Sequence, residues 1–294
     1  MKKEEVLLEK VRELHDSGPD GRENTAAILN EKRELGPPVD ALTAKREMFG
    51  RSRRSFLVGG AAALLGVFGW RWMPDETKND LLRRTFEFNE KVSQFFYRPS
   101  RLAPEFSPSR ISERRVNGML GIEKELDPAA WTLSVGGLYG RTDDLTLTLA
   151  DIMALPRVEM ITELKCIEGW SVIVHWAGAR FSDFAARYLP KTIDGSQPNV
   201  AAHPEKLVPY VSLTTPDNEY FVGWDMPSIL HPQTLLAYEM NGAPLLPEHG
   251  APLRLASPTK YGIKLLKRIG RIEFTADRPR DYWAGDGYDW YSGH

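Results

Sequence analysis

The residue with the widest chemical repertoire in this chain is its single cysteine, Cys166. It stands in Ile161-Thr162-Glu163-Leu164-Lys165-Cys166-Ile167-Glu168-Gly169-Trp170-Ser171-Val172-Ile173-Val174-His175-Trp176. A short apolar alternation ends at the cysteine, a Glu-Gly pair follows, and a second apolar stretch begins. A cysteine at a strand end beside a glycine turn can present its sulfur to a cavity, and the adjacent Lys165 is a cation of the kind that favours a thiolate. Three roles fit these residues. Cys166 is a small buried hydrophobe, a nucleophile served by His175, His203, His231 or His249, or a thiolate ligand to a metal. The histidines show no short metal-ligand spacing, and no local protease signature accompanies the thiol.

Composition removes other classes. One cysteine excludes an intramolecular disulfide, a CxxC redox pair, a cysteine-held iron–sulfur cluster and a four-thiolate zinc site. A formal net charge of -2 over 294 residues, with 42% hydrophobic and 27% charged residues, gives no electrostatic reason to expect a nucleic-acid partner. Neither GxGxxG nor GxxxxGK[ST] occurs, so the standard nucleotide signatures are missing.

Three stretches carry different kinds of sequence. Residues 1–50 hold nine Lys/Arg and eleven Asp/Glu but one aromatic, a solvated tail. In residues 51–73, Arg51-Ser52-Arg53-Arg54-Ser55-Phe56-Leu57 leads into the uncharged run Ser55–Trp70. Sixteen helical residues would span about 24 Å, short of the usual hydrocarbon core of about 30 Å. The cationic edge and Gly/Ala-rich run resemble a twin-arginine export signal, a receptor-read address for proteins exported already folded. No small-residue cleavage site follows, so an uncleaved anchor is expected, with soluble release after cleavage as the alternative. The rest then lies on the periplasmic side of a bacterial inner membrane.

Residues 74–294 read as one large domain. Asp80–Phe96 is predicted helical, and 97–115 an extended, proline-fixed connection. Trp131, Leu133 and Val135 alternate as a strand closed by Gly136-Gly137, and Leu145, Leu147 and Leu149 repeat the pattern before a short helix at Asp151. Phe181–Leu189 reads as a helix with Ser182 as N-cap. Leu253 and Leu255 flank Arg254 in a strand pattern, and Ile272, Phe274 and Ala276 alternate again. The expected fold is α+β, mixed and strand-rich with short helices and large loops, not a doubly wound sheet.

The string Lys165–Ser171, with Trp176 six residues beyond Trp170, resembles the cysteine segment of molybdopterin-dependent oxidoreductases of the sulfite-oxidase superfamily. The likeness is greatest to the exported protein-methionine-sulfoxide reductase branch. Two further blocks, His231–Leu255 and Pro258–Ile269, follow in the family's order. The resemblance implies Mo-molybdopterin as cofactor, with Cys166 as the single protein ligand of the metal; a soft thiolate suits such a centre. It implies that Arg254, Lys264 and Lys267 hold the pterin phosphate, for which guanidinium and ammonium groups are apt. Lys260 has no equally clear family position and is kept as a solvated lysine as readily as a phosphate ligand. Asn89 resembles an early asparagine that reaches the pterin, or is a plain helix-surface residue. Thr215 resembles a cofactor-contacting threonine, with Thr214 as the neighbouring choice. His249 stands where the reductase branch has Asn and the sulfite-oxidising branch has His.

The family's sulfite oxidases resemble one another in an arginine shortly after the cysteine. Here that stretch is Glu168-Gly169-Trp170-Ser171, without a cation. Glu168 and Trp170 are therefore candidate catalytic-site residues suited to a neutral, small or protein-borne oxide such as a sulfoxide, unless they pack away from the site. The expected activity is oxygen-atom transfer, with sulfite-type oxidation or a non-catalytic exported binding module as alternatives. No CxxCH heme motif is present. Electrons are expected from a separate redox partner, a membrane heme protein or quinone-linked subunit.

Overall fold

A computed structural model describes residues 70–293. The expected tail, 1–50, and the export segment up to residue 69 lie outside the described residues. Among the described residues, no helix is long and apolar enough to cross a membrane. The chain parts into two units at Pro74/Asp75, and the fold described is that of the second.

This unit opens with helix α1 (Asp75–Phe96), longer at its start than its apolar pattern suggested. The connection after it is largely irregular, with one short turn of helix at Pro108–Arg110. It is fastened to a sheet where Phe106 donates to the Ile161 carbonyl and Ser112 to the Ile173 carbonyl, both at 2.9 Å.

Ten strands form two five-stranded sheets. The first runs β2-β1-β10-β5-β6, from β1 (Leu133–Gly136), β2 (Leu145–Leu147), β5 (Tyr210–Thr214), β6 (Phe221–Asp225) and β10 (Arg271–Thr275). Its β1–β10 pairing is parallel and the rest antiparallel. The second runs β3-β4-β7-β8, with β9 also paired to β7. Its strands are β3 (Arg157–Lys165), β4 (Ser171–Arg180), β7 (Leu235–Met240), β8 (Ala243–Pro244) and β9 (Arg254–Ala256). The short helices are α2 (Leu149–Met153), α3 (Phe181–Tyr188), α4 (Met226–Ile229) and α5 (Tyr282–Gly285). The architecture is α+β and strand-rich, as the alternation indicated.

Period-2 burial explains the first sheet: Leu133 and Val135, Val211 and Leu213, and Ile272 and Phe274 all send their side chains into one core with Phe181, Phe184 and Trp224. A smaller core under the second sheet gathers Met160, Val174, Trp176, Leu235 and Met240. Helix α2 starts where Thr148 and Asp151 form a reciprocal capping box. The start of α3 differs from expectation. Its N-cap is Arg180, without a side-chain capping bond, so Ser182 lies inside the first turn; Phe181, fully buried against Phe184 and Phe274, sets the boundary instead.

Candidate functional site

The hairpin joining β3 to β4 places the thiol. Cys166 closes the loop by donating its N–H to the Trp170 carbonyl (2.9 Å), and Gly169 turns the chain at φ +88°, a conformation open to glycine at little cost. Cys166 is only 5% exposed. It lines a cavity of about 340 Å³ together with Asn117, His249, Arg254 and Lys267, with Leu164, Val174, Trp176 and Met240 among its apolar walls. The side-chain N–H of Asn117 points to the Cys166 sulfur at 3.5 Å. Lys165 turns toward Glu163 instead, with 3.9 Å between the charged groups.

The cationic part of the cavity is unusual for what it lacks. Arg254, 4% exposed, donates to the carbonyls of His249 (2.9 Å), Leu255 and Leu265 (both 3.4 Å), and its guanidinium lies 4.8 Å from the Trp176 ring centre. Lys267 donates to the carbonyls of Asn117 (2.7 Å), Gly118 (2.9 Å) and Glu248 (3.0 Å). Among the described residues neither cation forms an ion pair. Burial pushes the Arg254 pKa down to about 10. Burial, and then repulsion from Arg254, bring that of Lys267 down to about 8. An anion entering here would relieve both costs. The strand pattern around Arg254 gave no hint of this, since an arginine between two leucines on a strand ordinarily points to water.

His249 ends a short helical turn, and Gly250 follows at φ +95°. A Cβ on Gly250 would come within 2.7 Å of the Lys267 side chain, so glycine lets the His249 and Lys267 segments meet. The buried His249 ring has no hydrogen-bond partner among the described residues. Burial, then Arg254 and Lys267, lower its pKa and keep the imidazole neutral, with one donor and one acceptor to offer.

At the mouth, the Trp170 indole N–H donates to Glu168 (2.9 Å). The Arg115 guanidinium covers the Trp170 ring at 4.1 Å from its centre. All three line the cavity. The sequence left this mouth without a cation; the structure supplies one from a distant segment. Arg115 and Asn117 were both missed, because their only local signal is an Asn-Gly pair at the end of a proline-fixed connection. Lys267, some 150 residues on, holds that segment in place through the Asn117 and Gly118 carbonyls.

Three expected residues are placed elsewhere. Asn89 is exposed on α1, outside the cavity lining, and the asparagine beside the thiol is Asn117. Thr215 is buried in the β5–β6 turn, where its hydroxyl donates to Asp217 (2.6 Å) and accepts from the Tyr220 N–H (3.1 Å). Lys264 points away into a buried ion pair with Asp281 (2.5 Å) and donates to the Trp290 carbonyl (2.7 Å). Lys260, for which a solvated position was one option, is likewise buried and paired with Asp225 at 3.2 Å.

A soft thiol, an unpaired neutral imidazole and two cations without acids, all facing one cavity, fit a metal-bearing cofactor that ends in phosphate. The comparison with known families agrees: residues 119–283 match the oxidoreductase molybdopterin binding domain, and the chain belongs to that family. It is a molybdenum-dependent oxidoreductase whose cofactor is Mo-molybdopterin. Among similar proteins is one of Azospira oryzae whose name, protein-methionine-sulfoxide reductase subunit YedZ1, is provisional; it is 32% identical over 244 residues, covering 82% of this chain and 86% of that one. The protein-methionine-sulfoxide reductase catalytic subunit MsrP of Campylobacter jejuni is 28% identical over 265 residues, covering 82% and 80%. The solved sulfane dehydrogenase SoxCD of Paracoccus pantotrophus overlaps 53% of this chain and 40% of that one, at 20% identity and a TM-score of 0.44, too partial a likeness to carry weight.

Proposed function

We propose that this chain reduces a sulfoxide or related neutral oxide, small or protein-borne. The names of the similar proteins from Azospira and Campylobacter support this direction. The observation that carries it is the mouth of the cavity, where Arg115 covers the face of the Trp170 ring and Glu168 accepts from its indole N–H. Their charges sum to zero, a poor receptor for a dianion such as sulfite. A sulfoxide is neutral overall, with an electron-rich oxygen and apolar substituents. Arg115 is the donor for that oxygen, and the Trp170 ring is the apolar surface.

Cys166 would hold the metal, with Asn117 donating toward its sulfur. Arg254 would hold the phosphate: three of its five N–H groups go to carbonyls, so two remain for an anion. Lys267 adds charge while its own hydrogens pin the Asn117 segment. Molybdopterin, when bound, supplies the oxygen-atom and two-electron chemistry; the protein supplies position, charge and exclusion of water. The balance requires two electrons and two protons for each oxide reduced, with water as the second product.

Those electrons are proposed to come from a separate partner, in keeping with the word "subunit" in the relatives' names. Export and anchoring through Arg53-Arg54 and Ser55–Trp70 are proposed from the sequence of that segment. The direction of reaction is tested with the purified, cofactor-loaded full chain. Oxidation of a reduced viologen dye that depends on methionine sulfoxide supports the reading, and Arg115→Ala should then raise KM more than it lowers kcat. Sulfite-dependent reduction of ferricyanide with no sulfoxide turnover contradicts it.

A further inference from the structure

Helix α1 carries an apolar stripe that faces away from the domain it belongs to. Leu81, Thr85, Phe88, Val92 and Phe95 recur at alternating steps of four and three, which places them on one side of a helix. Phe88 is 66% exposed and Phe95 70%, and Leu81, Val92 and the neighbouring Phe96 are exposed too. The opposite side is the packed one. Phe86 and Glu90 face the C-terminal segment, and Glu90, buried, pairs with Arg278 at 2.7 Å. So many bare aromatic and aliphatic side chains on one helix mark a surface that is covered in use.

Charge tells what covers it. None of the acids of α1 (Asp75, Glu76, Asp80, Glu87, Glu90) falls in the stripe. The bordering positions hold cations instead: Arg84 and Lys91 along one edge and Lys78 along the other. Arg84 pairs with Asp80 in an exposed pair worth little, and Lys78, half-buried, pairs with the exposed Asp75; neither pair puts an acid into the stripe. An apolar stripe edged by Lys and Arg fits the boundary of an anionic bilayer, where the rings enter the acyl region and the cations meet phosphate.

The chain leading into α1 agrees. The uncharged run ends at Trp70, and α1 begins at Asp75. Five residues span at most about 17 Å even when fully extended. A chain that leaves the bilayer at Trp70 must therefore begin α1 close to the headgroups. This second argument rests on the anchor reading above; the stripe and its cations do not.

We infer that α1 lies on the surface of an anionic membrane, with Leu81, Phe88, Val92 and Phe95 inserted and Lys78, Arg84 and Lys91 at the phosphates. The arrangement makes α1 a second, peripheral contact beside any anchor. It would limit how far the catalytic domain can swing from a membrane-borne electron donor.

The test uses the full chain in vesicles of phosphatidylethanolamine and phosphatidylglycerol. These contain a lipid with a nitroxide at a shallow acyl position to report on positions 88 and 143, or at a deep acyl position to report on position 63. A polarity-sensitive fluorophore is attached at Phe88→Cys, at Ala63→Cys in the apolar run, or at the exposed Asp143→Cys. The parent chain, labelled in parallel, accounts for the buried Cys166. The expected result is strong nitroxide quenching at position 88, none at 143, and a severalfold loss of the position-88 quenching when Leu81→Glu and Phe95→Glu are added. Quenching at 88 without quenching at 63 supports the α1 surface and overturns the anchor. Quenching at 63 without quenching at 88 overturns the α1 surface and keeps the anchor. That outcome includes a blue-shifted but unquenched probe at 88, which would place a protein helix or a second copy on the stripe.

Discussion

Lys260 and Lys264 each lie buried against a carboxylate of their own, Asp225 and Asp281, whereas Arg254 and Lys267, a few residues away in sequence, donate among the described residues to carbonyl oxygens and to no carboxylate. The four cations belong to one stretch of chain and look alike on paper. Their surroundings divide the work. The paired lysines also donate to the Tyr291 and Trp290 carbonyls and so fasten the C-terminal segment. The other two cations line a cavity without an ion-pair partner among the described residues, although Glu248 offsets part of the cost at Lys267. A buried cation with its own acid holds the fold, and one without an acid is prepared for an anionic ligand.

The comparison breaks most sharply at Lys264. Lys264→Met leaves Asp281 buried without its cation, a change that costs about 3–5 kcal/mol. Chemical denaturation of the cofactor-free chain measures it, and Asp281→Asn added to Lys264→Met should restore part of the loss, because it removes the stranded charge while the amide oxygen still caps α5 at the Ala284 N–H. Retention of full stability together with loss of pterin would put Lys264 back among the phosphate ligands.

Arg254→Met should behave in the opposite way. The cofactor-free chain loses less stability than with Lys264→Met, because no acid is left stranded. Pterin affinity falls by about 1.5–3 kcal/mol, tenfold or more. Pterin content after extended dialysis, set against the parent protein, decides it.

A smaller effect follows from Lys267. Its pKa of about 8 in the free protein is below the ordinary lysine value, so it begins to lose its proton as pH rises through 8. A bound phosphate favours the charged form and raises that pKa. Between the two values the bound state holds more protons than the free state, so affinity falls as pH rises. Pterin retention should therefore decline from pH 7 to pH 9, and Lys267→Gln should flatten the decline.

Much of the strand-rich fold was legible because β1 and β10 bury alternate residues, a period that side chains alone display. Cys166, Glu168 and Trp170 were legible as a group because one short hairpin loop carries all three. Asn117 and Arg115 were not, since their position depends on Lys267 reaching back across the chain. The division between Lys264 and Arg254 was hidden for a related reason: the acids that settle it, Asp225 and Asp281, come from other parts of the sequence. The stripe on α1 was blurred because Leu82 and Phe86 lie off it, and only the packing of Glu90 shows which side faces inward.

The central claim is that Cys166 is the protein's ligand to the metal while the cations hold the pterin independently. Metal and pterin analysis of the purified full chain and of Cys166→Ala, alongside sulfoxide-dependent turnover, tests it most directly. The parent should hold one molybdenum and one pterin per chain. Cys166→Ala should fold, keep most of its pterin and show no turnover; full turnover in that variant would contradict the assignment.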